Sequence, residues 1–136
     1  KIEQETMVNL RLTADMFPLK RQVQIASDMA KMGVARLAGV DKDAPKWEDN
    51  EKTIGELKAR LQKSIDYIGT FKPAQIDGSE ERTVTWKTRT ATKSMQGMPY
   101  LLNHVLPNLY FHVATAYAIL RHNGVEIGKG DYLGRS

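Results

Sequence analysis

The sequence contains no cysteine, so disulfide bonds, thiolate metal sites and a cysteine nucleophile are excluded together. Histidine is nearly as scarce: its three copies, His104, His112 and His122, all lie towards the carboxyl end. No Gly-x-Ser-x-Gly elbow is present, and no serine or acid has a spacing that would pair it with these histidines as a nucleophile triad. The glycine-containing stretch Gly124 to Gly130 has no strand before it and no helix expected after it, so it is not read as a phosphate loop. A further absence is local. Between Lys93 and Arg121 there is no Asp, Glu, Lys or Arg at all, although Asn103, His104, Asn108 and His112 interrupt the apolar run.

What is present describes a globular chain. With 136 residues, 41% of them hydrophobic and 26% charged, it is the size of one domain with a core of its own, residues 1–136. The net charge of +4 is scattered, and its densest basic cluster is only Arg82, Lys87, Arg89 and Lys93. A nucleic-acid partner is therefore not expected, since phosphate binding favours cations gathered on one face. The uncharged stretch could span a bilayer by length alone, but its Asn, His, Gln and Pro residues would be unsatisfied in a lone span. It is expected instead as a helix buried on most of its circumference, and the cysteine-free chain as a cytoplasmic protein.

Periodicity predicts the elements. Residues 1–12 read as a polar lead-in with neither an arginine-rich nor an apolar leader. After Pro18, the positions Leu19, Val23, Ala26, Ala30, Gly33 and Leu37 share one helical face, with Lys20, Ser27 and Lys31 on the other and Gly39 as the stop. Asp41 to Lys52 reads as a loop with Trp47 folded back. Thr53 and Glu56 form a capping box for a second helix on Ile54, Leu57, Leu61, Ile65 and Ile68, with Glu56 and Arg60 as an i,i+4 pair. Alternating, Thr-rich runs Arg82–Trp86 and Arg89–Lys93 predict a small β-hairpin, within about residues 81–94, turning near Lys87-Thr88. The last helix should run from Met98 or Pro99 to Arg121, bend at Pro107, and close on Asn123-Gly124 with Val125 completing the cap. Tyr132 and Leu133 are expected to pack back on it.

His104, Asn108 and His112, four residues apart, share a face of that helix and make a candidate pocket, with His112 as the candidate catalytic acid or base. At roughly 1.5 Å per residue the two histidines stand about 12 Å apart along the axis, too far to grip one zinc or nickel ion together without distortion. The competing reading makes these side chains structural, satisfied by one another, by the Asn103 carbonyl or by tyrosine hydroxyls.

Several segments carry a resemblance: Asp15–Ala26, Phe71–Glu80 with its Pro-Ala-Gln-Ile-Asp-Gly-Ser, Tyr100-Leu-Leu102, Leu106–Val125 and the tail Gly128–Gly134. Together they resemble an uncharacterised domain-of-unknown-function family of bacteria and fungi within the DinB/YfiT-like superfamily. The resemblance implies an all-α four-helix bundle with up-down-down-up connectivity, a hairpin before the last helix, and homodimers. It also implies a further bundle helix of roughly 25–30 residues ahead of Lys1. Without that helix, the apolar face of Leu102, Leu106, Leu109, Val113 and Leu120 would need a partner chain or would remain exposed. Many superfamily members hold a divalent metal on three histidines, and some are metal-dependent hydrolases or thiol-dependent transferases. This sequence has Asn108 between its paired histidines and Gln22 and Gln24 where a third ligand would lie. The expectation is accordingly a ligand pocket on His104, Asn108, His112, Gln22 and Gln24, with His104 and His112 the only metal candidates and no firm cofactor. The alternatives are a non-catalytic, dimeric binding or interaction module with structural histidines, and a metal-dependent hydrolase or thiol-dependent transferase.

Overall fold

A computed structural model describes residues 2–135. In chain order the elements are α1 (Gln4–Val8), α2 (Leu19–Leu37), α3 (Ile54–Gly69), α4 (Pro73–Ile76), β1 (Thr83–Lys87), β2 (Thr92–Gln96), α5 (Gly97–Tyr100), α6 (Leu106–His122) and α7 (Lys129–Tyr132), with a π-helical turn Leu101–Val105 joining α5 to α6. The protein is mainly helical with one two-stranded antiparallel sheet. No helix among the described residues is long and apolar enough to cross a membrane.

Pro18 caps α2 from outside, and its carbonyl receives the Arg21 and Gln22 amides at 2.9 and 3.0 Å. At the far end Gly39, at φ 74°, allows Val40 to donate to Ala35 and Gly39 to Arg36, a six-to-one and five-to-two pair of bonds that ends the helix. Helix α6 closes in the same way: Gly124 lies at φ 90°, with Val125 donating to Leu120 and Gly124 to Arg121. The Thr53 hydroxyl accepts the Glu56 amide at 3.0 Å, as expected, while the Glu56 carboxylate reaches one residue further back, to the Lys52 amide at 2.9 Å.

Helix α2 lies between α3 and α6 and packs against both. This corrects one expectation. Ser27 and Lys31, read as solvent-facing, are buried, because a helix with neighbours on two sides needs more than one covered stripe. The Ser64 hydroxyl donates to the Ser27 carbonyl at 2.9 Å and Lys31 Nζ to the Pro45 carbonyl at 2.6 Å. The Glu56–Arg60 pair is not formed either. Arg60 is 2% exposed and turns inward, its guanidinium 3.0 Å from both Asp28 and Asp49 and 3.2 Å from Glu51. Burial alone would lower the Arg60 pKa, and the carboxylates more than reverse this and raise it. Trp47 folds back as expected, lying under Lys31 Nζ at 4.5 Å and the Arg60 guanidinium at 5.8 Å.

The hairpin exists, but its second strand sits three residues later than expected. Val84 pairs with Met95 and Trp86 with Lys93, and Thr88 to Ala91 form the turn, held by the Thr88 hydroxyl. The inward face of β1, Val84 and Trp86, joins Leu37, Tyr100 and Val105 in the core. Register follows from that face, since a one-residue slip would expose it. In the tail, Tyr132 packs edge-on against Tyr117 at 6.3 Å, whereas Leu133 remains 44% exposed. The unexpected short helix α7 follows Gly128, whose amide is occupied by its own Asp131 carboxylate at 2.8 Å.

Candidate functional site

Where the sequence predicts a bend at Pro107, the structure has a π turn just before it. Pro107 has no N–H to offer the Asn103 carbonyl, and the ladder widens over Leu101–Val105. In that widened turn Asn108 Nδ2 donates to the His104 carbonyl at 2.6 Å. Asn108 thus serves its own helix.

The other four candidate residues go to three different places. The His104 ring stacks on Tyr100 at 5.4 Å and 23° and packs on Trp86 at 4.7 Å, beside the core. Its pKa is lowered by burial first, then by Arg36 and Lys93. Gln24 donates to Glu51 at 2.9 Å and belongs to the Arg60 network. His112 and Gln22 come together, 2.7 Å apart through Nδ1 and Oε1, across the α2–α6 interface. Gln22 is 2% exposed and its Nε2 donates to the Phe17 carbonyl at 3.1 Å. The His112 pKa is lowered, by burial and then by Arg21.

His112 forms a wall common to two hollows. One is a cavity of about 240 Å³ bounded by Asp15, Met16, Phe17, Gln22 and Phe111. Phe17 and Phe111 are each 53% exposed at its mouth. The other is an apolar groove of about 320 Å³ between α3 and α6, lined by Ile54, Leu57, Leu61, Val113, Tyr117 and Leu120 among others. Residues 1–133 match the family described as "Domain of unknown function (DUF1993)". The chain belongs to that family. A crystal structure of a DinB family member from Shewanella denitrificans is similar to this DUF1993 chain, with 45% sequence identity and a TM-score of 0.89. The match covers 97% of this chain and 74% of that one. No curated protein matches.

Many superfamily members hold a metal on three histidines, and in this DUF1993 member the two metal candidates, His104 and His112, stand in different surroundings. Among the described residues no three His, Asp or Glu side chains are grouped to hold an ion. His104 faces aromatic rings and His112 faces an amide, so neither brings a second imidazole with it.

The sequence reading missed Asp15, Phe17 and Phe111 as neighbours of His112. Phe111, adjacent in sequence and packed edge-on to His112 at 5.1 Å, was available as a signal. The contact with the segment before α2 was not, because it depends on how two distant helices cross.

Both imidazoles make stability depend on pH. Unfolded, each binds its proton near pH 6.5; folded, each holds it less tightly. Between the lowered folded value and about 6.5 the unfolded chain carries more protons, so stability falls as pH drops below about 6.5. Melting temperatures at pH 7.5 and 5.5 should show the loss, at most about 1.4 kcal/mol per pH unit for each proton. The double variant His104→Phe, His112→Gln should have a shallower profile. An equal slope in both proteins would remove the histidines from the explanation.

Proposed function

We propose that this DUF1993 chain binds a small organic molecule at the cavity where α6 crosses the start of α2, with His112 and Gln22 as its polar floor and Phe17 and Phe111 as its walls. The observation that carries the reading is the short His112–Gln22 hydrogen bond beside an open aromatic mouth. A polar pair at the base of a partly apolar hollow is the usual composition of a ligand site. His112 is the one residue here able to accept and return a proton near neutral pH, and is the candidate acid or base if the bound molecule reacts. A cytoplasmic setting fits the cysteine-free chain. In a screen of small aromatic fragments by protein-observed NMR, the resonances of Phe17, Phe111 and His112 should move together. A screen in which they stay fixed while other surfaces respond would reject the site.

For the architecture we infer a four-helix bundle of DinB/YfiT-like, up-down-down-up type, of which α2, α3 and α6 are three members. The groove between α3 and α6 is the seat of the fourth. Its support is the apolar row Leu102, Leu106, Leu109, Val113, Tyr117 and Leu120 along the π turn and α6, together with Ile65 of α3, one turn beyond the groove-lining Leu61 and 61% exposed. The DinB family neighbour, whose chain extends beyond the match by about a quarter of its length, has room for such a helix. In a polypeptide that carries this fourth helix, Ile65→Lys should then lower the melting temperature by several degrees, the cost of placing a cation beside a packed helix. An open groove predicts no change. A homodimer across the same groove would instead make the loss depend on protein concentration.

A further inference from the structure

Gln22 has more than a packing role. Its side-chain amide has two different ends, and the structure commits both of them. The Nε2 end donates to the Phe17 carbonyl at 3.1 Å, and that carbonyl cannot donate in return. The orientation of the amide is therefore set by the backbone. Its Oε1 end, an acceptor only, faces His112 Nδ1 at 2.7 Å. A bond of that length requires the proton on Nδ1. The neutral imidazole then carries none on Nε2.

We infer that Gln22 is a positioning residue that holds neutral His112 in its Nδ1–H form, so that Nε2 offers a lone pair and the pocket selects flat apolar molecules that bring a hydrogen-bond donor, such as phenols. This rests on the ligand-binding reading above and names the chemistry of the ligand. Among the described residues nothing hydrogen-bonds to Nε2. The other polar side chain at the cavity with atoms to spare is Asp15, whose carboxylate is also an acceptor. With acceptors lining the hollow beside the half-exposed rings of Phe17 and Phe111, the complement is an O–H or N–H on an aromatic body. An acceptor-only ligand would leave the imidazole lone pair unmatched. The lowered proton affinity of His112 acts in the same direction, keeping Nε2 unprotonated at neutral pH.

The test uses two readouts on one sample. Long-range ¹H–¹⁵N spectra of the protein at pH 8, with no ligand, report which ring nitrogen of His112 bears the proton. Titration with phenol and with its methyl ether, anisole, reports what the pocket prefers. The expected result is a protonated Nδ1 and phenol bound roughly fivefold more tightly than anisole, the difference one hydrogen bond makes. Gln22→Leu, which removes the oxygen facing Nδ1, should release the Nδ1–H form, and a variant that keeps it would show that Gln22 does not set the tautomer. A proton on Nε2 in the wild-type protein overturns the inference with no variant needed. Equal binding of phenol and anisole overturns the ligand class while leaving the pocket in place. Failure of both to move Phe17, Phe111 and His112 rejects the pocket itself, whatever the tautomer.

Discussion

Arg60→Met is expected to cost about 3 kcal/mol of stability and to lower the melting temperature by roughly 10 °C. The arithmetic follows from which partners have an alternative. Asp28 keeps Lys31 at 3.6 Å and Asp49 keeps Arg21 at 3.3 Å, and both carboxylates are more than a third exposed. Glu51 is different, with only 9% of its side chain accessible and Gln24 Nε2 as its remaining partner. Removing the guanidinium therefore strands one buried carboxylate, and breaking a buried pair from one side costs far more than its net contribution. The same guanidinium donates to the Glu48 carbonyl at 3.2 Å, so the loop from Asp41 to Lys52 loses a tether as well. Glu51→Gln in the Arg60→Met background should recover a large part of the loss, because it removes the stranded charge. Thermal denaturation of the two single variants and the double one measures this directly. A single variant that melts within about 2 °C of the wild type would show the network to be solvated, like an ordinary surface ion pair.

The network also marks the limit of what the sequence discloses. Arg60 and Glu56 stand at a spacing that favours a surface pair, and nothing local says that Arg60 turns inward. That choice depends on Asp28, Asp49 and Glu51, which approach only after α2, α3 and their connecting loop have packed. The legible features were those decided within a few residues. Gly39 and Gly124 end helices because the next turn needs a positive φ, Thr53 caps because its hydroxyl reaches Glu56, and Val84 and Trp86 alternate because strands do. The hairpin turn was misplaced because a hydroxyl cap at Thr88 favours the four-residue connection over the tighter one expected at Lys87-Thr88. At the site, only the family resemblance joined Gln22 to His112 in one expected pocket; no local pattern does so, because their meeting follows from the α2–α6 crossing. His104 and Asn108, on the same face by spacing, were diverted by the widened turn before Pro107. A helical wheel assumes a regular ladder and cannot show that.

The second large effect concerns a close approach. Gly97→Ala is expected to cost about 3 kcal/mol or more, the upper end for added atoms in packed regions. A Cβ at Gly97 would sit 1.8 Å from the Ser79 carbonyl oxygen and 2.8 Å from its carbon. Its φ is not among the positive ones, so the penalty comes from contact and not from backbone conformation. Ser79 is 6% exposed and the obstacle is backbone, so no side chain can swing aside. The Gly97 amide donates to the Arg82 carbonyl at 2.9 Å, which fixes the start of α5 against the entry to the hairpin. Displacing this junction would carry along Tyr100, which is fully buried and 5.0 Å from Trp86. Tryptophan fluorescence should therefore shift in the folded variant as well as at the melting transition. Two other glycines calibrate the result. At Gly33 the nearest atom is Val105 Cγ1 at 2.7 Å, a buried β-branched side chain that must shift but is not backbone, and Ala there gains about 1 kcal/mol of helix propensity as a partial offset. At Gly69 nothing lies within 4 Å, and Ala should be neutral or slightly stabilising. The expected order of melting temperatures places Gly97→Ala lowest, Gly33→Ala between, and Gly69→Ala at or above the wild type. If Gly97→Ala melted with Gly69→Ala, the contact between Ser79 and the start of α5 would not exist in solution.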